Sequence, residues 1–192
     1  LESPVVIAER SDPRHQSMGE IWEHLRKWTY PRCTAAVAQT ESVAQHLRTI
    51  VGRRPVYVIP NGVRAPEVTT ADVPARDERT IVAMGRLSPE KGFDLLIDAF
   101  ARLAPQHPEW RLQIAGEGPQ HAALQQQIEQ HGLAQRAQLV GWVADPARFL
   151  SQGAMYVMSS RYEGFPASLL EAMACGLAVI SSDCDCGPRA II

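Results

Sequence analysis

Two positively charged residues stand directly after a short apolar run that predicts a buried strand. Arg86 and Lys91 follow Thr80–Met84, and Gly85 separates the strand from Arg86. Open parallel sheets bind ligands beyond the carboxyl ends of their strands. A planar guanidinium and a mobile ammonium both suit phosphate oxygens. The pattern predicts a clamp for a diphosphate, with an ordinary solvated loop as the alternative that spacing alone leaves open.

Two carboxylates flank a second predicted strand-to-helix turn. Glu163 lies in the loop, and Glu171 lies in the helix that follows it. Pro166 indicates the first helical position, so the N–H groups of Ala167 and Ser168 would face the loop and attract an anion. Glu171 could hold two vicinal hydroxyls, as on a ribose, and Glu163 could meet a sugar hydroxyl or a developing positive charge. A helix-start acid and a solvated acid would explain the same two residues.

Glycines mark two further places where a predicted strand ends. Residues 116–119 read Gly-Glu-Gly-Pro, and Gly141, Trp142 and Val143 follow a later strand. The first segment lacks the full dinucleotide-binding pattern and predicts a tight turn. Trp142 could stack on a base or could equally cover the core. The six histidines have no metal-ligand spacing and the four cysteines include no CxxC pair, so the sequence predicts no metal site.

Short apolar runs alternate with segments of helical period along the whole chain. The runs lack in–out alternation, which is typical of parallel strands buried on both faces. Helices are predicted after Ser88-Pro89 and from Pro119 onward, and a third apolar stripe contains Met18, Ile21, Trp22, Leu25 and Trp28. This alternation predicts an α/β fold with parallel sheets. The predicted strands are 5–8, 35–38, 56–59, 80–84, 112–115, 138–140, 155–158 and 177–181.

Composition limits the class of protein. The chain has 192 residues, 45% apolar and 21% charged, with a net charge of −2. That balance is typical of a soluble globular protein and gives no reason to expect nucleic acid as a partner. No apolar run approaches the ~20 residues of a transmembrane helix.

Proline and charge without periodicity near residues 60–78 predict a break between two domains. Residues 1–65 are predicted to be the end of a first α/β domain, 66–78 a linker, and 79–192 most of a second domain. The chain begins without methionine and ends just after an apparent helix start at Gly187-Pro188. We therefore expect a piece of a longer protein.

Taken in order and spacing, the segments resemble the retaining nucleotide-sugar glycosyltransferases of family 4, which have the GT-B fold. Each segment alone is weak evidence for the resemblance, but together the segments cover nearly the whole chain. The resemblance implies the end of an N-terminal Rossmann-like domain and most of a C-terminal, donor-binding Rossmann-like domain. The matching segments are Gln39-Thr40-Glu41-Ser42, Ile59-Pro60-Asn61-Gly62-Val63, Gly85-Arg86-Leu87, Lys91-Gly92, Gly116-Glu117-Gly118-Pro119, Val140-Gly141-Trp142-Val143, Glu163-Gly164-Phe165-Pro166 and Glu171-Ala172-Met173-Ala174-Cys175-Gly176.

The resemblance also implies a role for each matching position. The two cations would neutralise the donor diphosphate and the leaving nucleotide, so no metal or other cofactor would be required. The carboxylate in the helix would bind the ribose, and the loop carboxylate would contact the transferred sugar. The implied donor-binding set is Gly85, Arg86, Lys91, Gly141, Trp142, Val143, Glu163, Gly164, Phe165, Pro166, Ala167, Ser168 and Glu171, with Arg86, Lys91 and Glu163 catalytic.

The implied reaction moves a hexosyl group from a UDP- or GDP-sugar to a saccharide or lipid-linked acceptor with retention of configuration. Cell-surface polysaccharide or glycoconjugate synthesis is the expected process. The expected location is the cytoplasm, with peripheral contact at the inner face of the plasma membrane. A nucleotide-sugar epimerase of the same fold and a non-catalytic nucleotide-binding module stay open as alternatives.

The sequence departs from the family in three places, one being that the helices expected to finish the second domain after Ile192 are missing. The glycine-rich loop and acceptor site of the first domain are missing from it, so this piece alone is expected to be inactive. Glu9-Arg10 stand where the family often has a histidine.

Overall fold

The computed structural model describes residues 3–10, 19–63, 77–184 and 187–192. The chain forms two compact units: Leu1–Gly62 with Tyr162–Pro166 and Cys184–Ile192, and Val63–Arg161 with Ala167–Asp183. The chain thus passes between the units more than once, whereas the sequence predicted one passage. Residue 65 and most of the predicted linker 66–78 lie outside the described residues, so those boundaries stay a prediction.

The first unit contains a parallel three-stranded sheet in the order β1-β2-β3. Its strands are β1 (Val6–Glu9), β2 (Ala35–Ala38) and β3 (Val56–Val58), and its helices are α1 (Glu20–Thr29) and α2 (Glu41–Val51), with a 3-10 turn at Tyr30–Arg32. The hydroxyl of Thr40 accepts a hydrogen bond from the backbone N–H of Val43 and caps α2. Helix α2 then buries its apolar face against β2 and β3.

Helix α1 does not bury the apolar stripe that the sequence predicts. Ile21 is 76% exposed, and Trp22, Leu25 and Trp28 are also exposed; Met18 lies outside the described residues. The buried residue of α1 is Arg26, whose guanidinium lies 3.7 Å from the buried carboxylate of Glu9. The apolar period predicted the helix correctly, but the face of α1 that is buried in this unit carries Arg26 rather than the apolar stripe.

The second unit contains a parallel five-stranded sheet in the order β6-β5-β4-β7-β8. Strand β4 lies at its centre and pairs with both β5 and β7. All eight predicted strands overlap an observed one, and the predicted α/β fold with parallel sheets is confirmed. The strands are β4 (Thr80–Met84), β5 (Arg111–Ala115), β6 (Ala137–Gly141), β7 (Met155–Met158) and β8 (Ala178–Ser181).

The helices of this unit are α3 (Phe93–Leu103), α4 (His121–Gln130), α5 (Pro146–Ser151) and α6 (Ala167–Ala174). Helices α3 and α4 contact each other, and side chains such as Ile97, Phe100 and Ile128 form the core with β4 and β5. Fully burying one such side chain contributes roughly 1.5–3 kcal/mol. This packing fixes the strand ends on which the candidate site depends.

Three predicted helix starts are corrected by the structure, and two of them precede α3 and α4. Pro89 belongs to a separate 3-10 turn, Pro89–Lys91, and α3 begins only after Gly92, whose left-handed φ of 62° ends the turn. Helix α4 begins at His121 rather than at Pro119. Both prolines stand in the turn before the helix, where a missing N–H is tolerated as well as in the first helical turn. A last 3-10 turn spans Pro188–Ala190.

Candidate functional site

The candidate site of the second unit lies at the carboxyl edge of its sheet. Strands β4 and β7 are parallel neighbours, with Val82 paired to Tyr156. Arg86 and Lys91 follow β4, and helix α6 follows β7 after a loop. The pairing therefore places the two cations and the first turn of α6 beyond the ends of adjacent strands, which is where open sheets bind ligands.

Arg86 stands in a short loop whose backbone is fixed on both sides. The N–H of Gly85 donates to the carbonyl of Ala115 at 3.0 Å, and the N–H of Leu87 donates to the carbonyl of Glu117 at 2.8 Å. Leu87 is fully buried while Arg86 is exposed. Buried Leu87 anchors the loop, while the neighbouring Arg86 stays exposed to solvent.

The glycines of the 116–119 segment let this loop lie close to its neighbour. A Cβ added to Gly116 would lie 1.8 Å from the carbonyl oxygen of Gly85, and one added to Gly118 would lie 2.4 Å from that of Leu87. The N–H of Gly116 already donates to the carbonyl of Gly141 at 2.7 Å. These glycines therefore support the Arg86 loop through close backbone contact, which goes beyond the tight turn predicted from sequence.

Lys91 is held against the same loop. It ends the Pro89–Lys91 turn, is half-buried, and precedes left-handed Gly92. The Cδ and Cε atoms of Lys91 lie 3.5 Å from the position of a Cβ added to Gly85. The aliphatic stem of Lys91 thus passes beside Gly85, the residue between the end of β4 and Arg86.

A carboxylate accompanies the two cations. Burial raises the pKa of Glu90, but a hydrogen bond from the hydroxyl of Ser88 and the charges of Lys91 and Arg86 lower it, and the net direction is down. Glu90 is therefore ionised at neutral pH and partly offsets the positive potential of the clamp.

The first turn of α6 is tied to the end of β4 through one buried tyrosine. The hydroxyl of Tyr156, a residue only 1% exposed, donates to the Oγ of Ser168 at 2.8 Å and lies 3.5 Å from the carbonyl oxygen of Met84. Ala167 is the first residue of α6, and half-buried Glu171 lies on the next turn. Pro166 stands just before the helix rather than in it. The N–H groups of the first helical turn lack partners within the helix, and the binding of an anion by them stays a prediction.

The loop residues Glu163, Gly164, Phe165 and Pro166 group with the first unit. Pro166 is buried and the other three are half-buried. A Cβ added to Gly187 would lie 2.6 Å from Cδ of Pro166 and 3.3 Å from the carbonyl oxygen of Gly164. The segment is therefore closely packed within that unit, and its action together with the two cations stays a prediction.

Gly141, Trp142 and Val143 leave the end of β6. Gly141 has a left-handed φ of 76° and accepts the hydrogen bond from Gly116. Trp142 is 70% exposed, which excludes the alternative that it covers the core. An exposed indole at a strand end is able to stack on a flat ring.

Within residues 3–10, 19–63, 77–184 and 187–192, no group of three His, Cys, Asp or Glu side chains could hold a metal ion. The expectation of a metal-independent site stays a prediction. In the same part of the chain, none of the helices has the length and apolar character to cross a bilayer.

The sequence profile of the family described as Glycosyl transferases group 1 matches residues 69–192. The chain is 39% identical over 142 residues to the phosphatidylinositol N-acetylglucosaminyltransferase gpi3 subunit of Schizosaccharomyces pombe, covering 71% of this chain and 30% of that protein. It is 30% identical over 172 residues to the amylovoran biosynthesis glycosyltransferase AmsD of Erwinia amylovora, covering 88% of this chain and 48% of that protein. The chain therefore belongs to the glycosyl transferases group 1 family.

Solved structures agree on the fold. Anabaena HepE in complex with UDP and glucose matches 100% of this chain and 56% of its own with a TM-score of 0.83 at 21% identity. This similarity confirms the predicted partial GT-B fold. The chain spans less than half the length of curated relatives such as the two above.

Three groups at this site escaped sequence reasoning. Tyr156 was not singled out from the sequence, and neither were Arg161 and Asp94, whose guanidinium and carboxylate lie 2.6 Å apart. Their roles depend on the pairing of β4 with β7, which joins strands that are not consecutive. An arginine just beyond one strand and an aspartate at the start of a helix were the available signals, but spacing alone did not connect them.

Proposed function

We propose that the complete protein is a retaining glycosyltransferase. It moves a hexosyl group from a UDP- or GDP-sugar to a saccharide or lipid-linked acceptor, in the synthesis of cell-surface polysaccharide or glycoconjugate. It works in the cytoplasm, with peripheral contact at the inner membrane face. Family membership and the relatives named for amylovoran biosynthesis and N-acetylglucosaminyl transfer support this proposal.

One observation carries it: Arg86, Lys91 and the first turn of α6 follow the adjacent parallel strands β4 and β7. Three sources of positive potential at one sheet edge suit a diphosphate better than a neutral ligand. The structural neighbour HepE was solved with UDP, which is a ligand of this chemistry.

The proposed reaction uses these groups when the donor bond breaks. The bond from the sugar to the diphosphate breaks, an acceptor hydroxyl oxygen bonds to the same sugar carbon, and the hydroxyl proton passes to the leaving phosphate. During this exchange negative charge grows on the leaving phosphate while positive charge grows on the sugar. Arg86, Lys91 and the amides of Ala167 and Ser168 stabilise the phosphate charge. Because fixed charges need not reorganise during the reaction, such stabilisation is usually the largest contribution to rate.

The remaining residues position the donor in this proposal. Glu171 accepts hydrogen bonds from the ribose hydroxyls, and Trp142 with Gly141 and Val143 lies near the base. Glu163, with Gly164, Phe165 and Pro166, contacts the transferred sugar. Holding the donor in the reacting geometry is the second main source of rate.

Charge-removing variants of the full-length protein test the site. Arg86→Ala and Lys91→Ala should each weaken nucleoside diphosphate binding by about 1.5–3 kcal/mol, the cost of a lost charged hydrogen bond. Arg79→Ala is the matched control, because exposed Arg79 stands just before β4, at the opposite end of the strand. Calorimetric titration with UDP and with GDP gives the affinities. Unchanged affinity in both site variants would refute the assignment.

Activity assays separate the three functions. Incubation of the full-length protein with labelled nucleotide-sugars should give labelled acceptor, with the donor's anomeric configuration retained in the product NMR spectrum. Interconversion of the nucleotide-sugar without acceptor would favour the epimerase, and binding without turnover would favour the non-catalytic module.

Metal removal tests the cationic clamp. If Arg86 and Lys91 neutralise the diphosphate, EDTA should leave the transfer rate almost unchanged. A strict requirement for a divalent cation would count against the clamp.

A further inference from the structure

The turn that carries Lys91 is bound along its backbone by the segment just beyond β7. Three consecutive carbonyls receive hydrogen bonds: that of Pro89 from Nη1 of Arg161 at 2.7 Å, that of Glu90 from the N–H of Arg161 at 2.8 Å, and that of Lys91 from the hydroxyl of Ser159 at 2.9 Å. The turn thus has little freedom relative to β7.

Steric fit reinforces these bonds. Gly92 follows the turn, and a Cβ added there would lie 2.2 Å from the carbonyl oxygen of Ser159. Only glycine permits this approach at a left-handed φ of 62°. The backbone of Lys91 is therefore fixed both by hydrogen bonds and by close contact.

A paired carboxylate orients the arginine that makes two of those bonds. The guanidinium of Arg161 binds the carboxylate of Asp94 through two parallel hydrogen bonds of 2.8 and 2.6 Å. Asp94 lies in the first turn of α3. A bidentate pair fixes the plane of the guanidinium, and this plane aims Nη1 at Pro89.

Stability alone does not account for this arrangement. The side chains of Arg161 and Asp94 are 39% and 35% exposed, and exposed ion pairs add little to stability. Lysine has a long flexible side chain, and ordering that side chain costs binding free energy. The cost is smaller when the backbone that carries the lysine is already fixed before the ligand binds. The Arg161–Asp94 pair contacts the turn that carries Lys91, so it can fix that backbone beforehand.

We propose that Arg161, oriented by Asp94, is a positioning residue that holds Lys91 for the donor diphosphate. This inference rests on the proposed function, because it assigns Arg161 a role through the phosphate-binding lysine. Arg161 itself binds the protein backbone and Asp94. Its removal should therefore matter only while Lys91 is present.

A double-mutant cycle in the full-length protein tests the inference. UDP and GDP affinities are measured for the wild type, Lys91→Ala, Arg161→Gln and the double variant. Lys91→Ala should weaken binding about tenfold to hundredfold. Arg161→Gln should weaken it about two- to tenfold, the cost of ordering one long side chain. The double variant should bind no more weakly than Lys91→Ala, because the effect of Arg161 passes through the lysine.

Matched variants on α3 guard against a folding effect. Asp94→Asn should reproduce Arg161→Gln. Asp98→Asn removes a comparable carboxylate, bonded to His131 at 2.8 Å and Gln127 at 2.7 Å, and should leave affinity unchanged. If Arg161→Gln fails to fold, Asp94→Asn takes its place in the cycle.

Each outcome decides a claim. An equal loss of nucleotide affinity from Arg161→Gln with and without Lys91 would show a general structural role and overturn the inference. No loss of affinity in either background would also overturn it. An undiminished affinity in Lys91→Ala would overturn the proposed function and the inference with it. A loss confined to the background that contains Lys91 would establish the inference.

Discussion

Replacing Gly116 by alanine tests how the Arg86 loop is held. The added Cβ, which is bonded directly to the backbone, would lie 1.8 Å from the backbone carbonyl oxygen of Gly85. Such a contact cannot be relieved by a side-chain rotation. The two loops must instead move apart by more than 1 Å.

The energetic cost follows from the bonds that this movement breaks. The N–H of Leu87 donates to the carbonyl of Glu117 at 2.8 Å, and the N–H of Gln120 donates to the carbonyl of Leu87 at 3.0 Å. Each lost bond costs about 1 kcal/mol. Alanine at Gly116, whose φ is 137°, adds about 1–2 kcal/mol of backbone strain. We expect a total loss of about 3–4 kcal/mol in the free energy of unfolding.

Gly132→Ala is the matched control. Gly132 also has a positive φ, 68°, but a Cβ added there would meet nothing within 4 Å. It should cost only the backbone strain of about 1–2 kcal/mol. Urea unfolding of the full-length variants gives both values, and titration with UDP and GDP should show weaker binding in Gly116→Ala alone. Equal stability and equal affinity in the two variants would show that the close backbone contact does not hold the Arg86 loop.

Three further predictions concern the same unit. Tyr156→Phe removes the buried hydroxyl bonded to Ser168 and should cost about 1–2 kcal/mol in urea unfolding; an unchanged midpoint would show that the bond adds nothing. Glu90→Gln removes a negative charge beside the clamp and should tighten diphosphate binding by roughly twofold to fivefold in titration, so weaker binding would contradict the electrostatic reasoning. The hydrogen bond from Arg161 lowers the pKa of Asp94 below its ordinary value, so the contribution of the ionised Asp94 to stability is complete above about pH 5 and is lost as pH falls through the folded-state pKa. The stability difference between wild type and Asp94→Asn should therefore be constant from pH 8 to about pH 5 and shrink in stronger acid, and a constant difference at all pH values would contradict the sign.

The sequence was most informative where local patterns decide local structure. Apolar runs located the eight strands found among the described residues, because parallel strands buried on both faces need continuous apolar residues. It also placed Arg86 and Lys91 after β4 correctly. It was least reliable at helix starts, where Pro89 and Pro119 fit a preceding turn as well as a first helical position.

By itself, the sequence determined the α/β class, the strands and the cations that follow β4, since these depend on residue type and short-range order. Only the tertiary structure decided that β4 pairs with β7, because neighbours in a sheet are chosen by packing of the whole unit. That pairing brings Arg161 to the Lys91 turn, and packing on β5 likewise brings Gly116 against Gly85. The identities of the charged groups were thus readable from the chain, whereas the contacts that hold them in place were not.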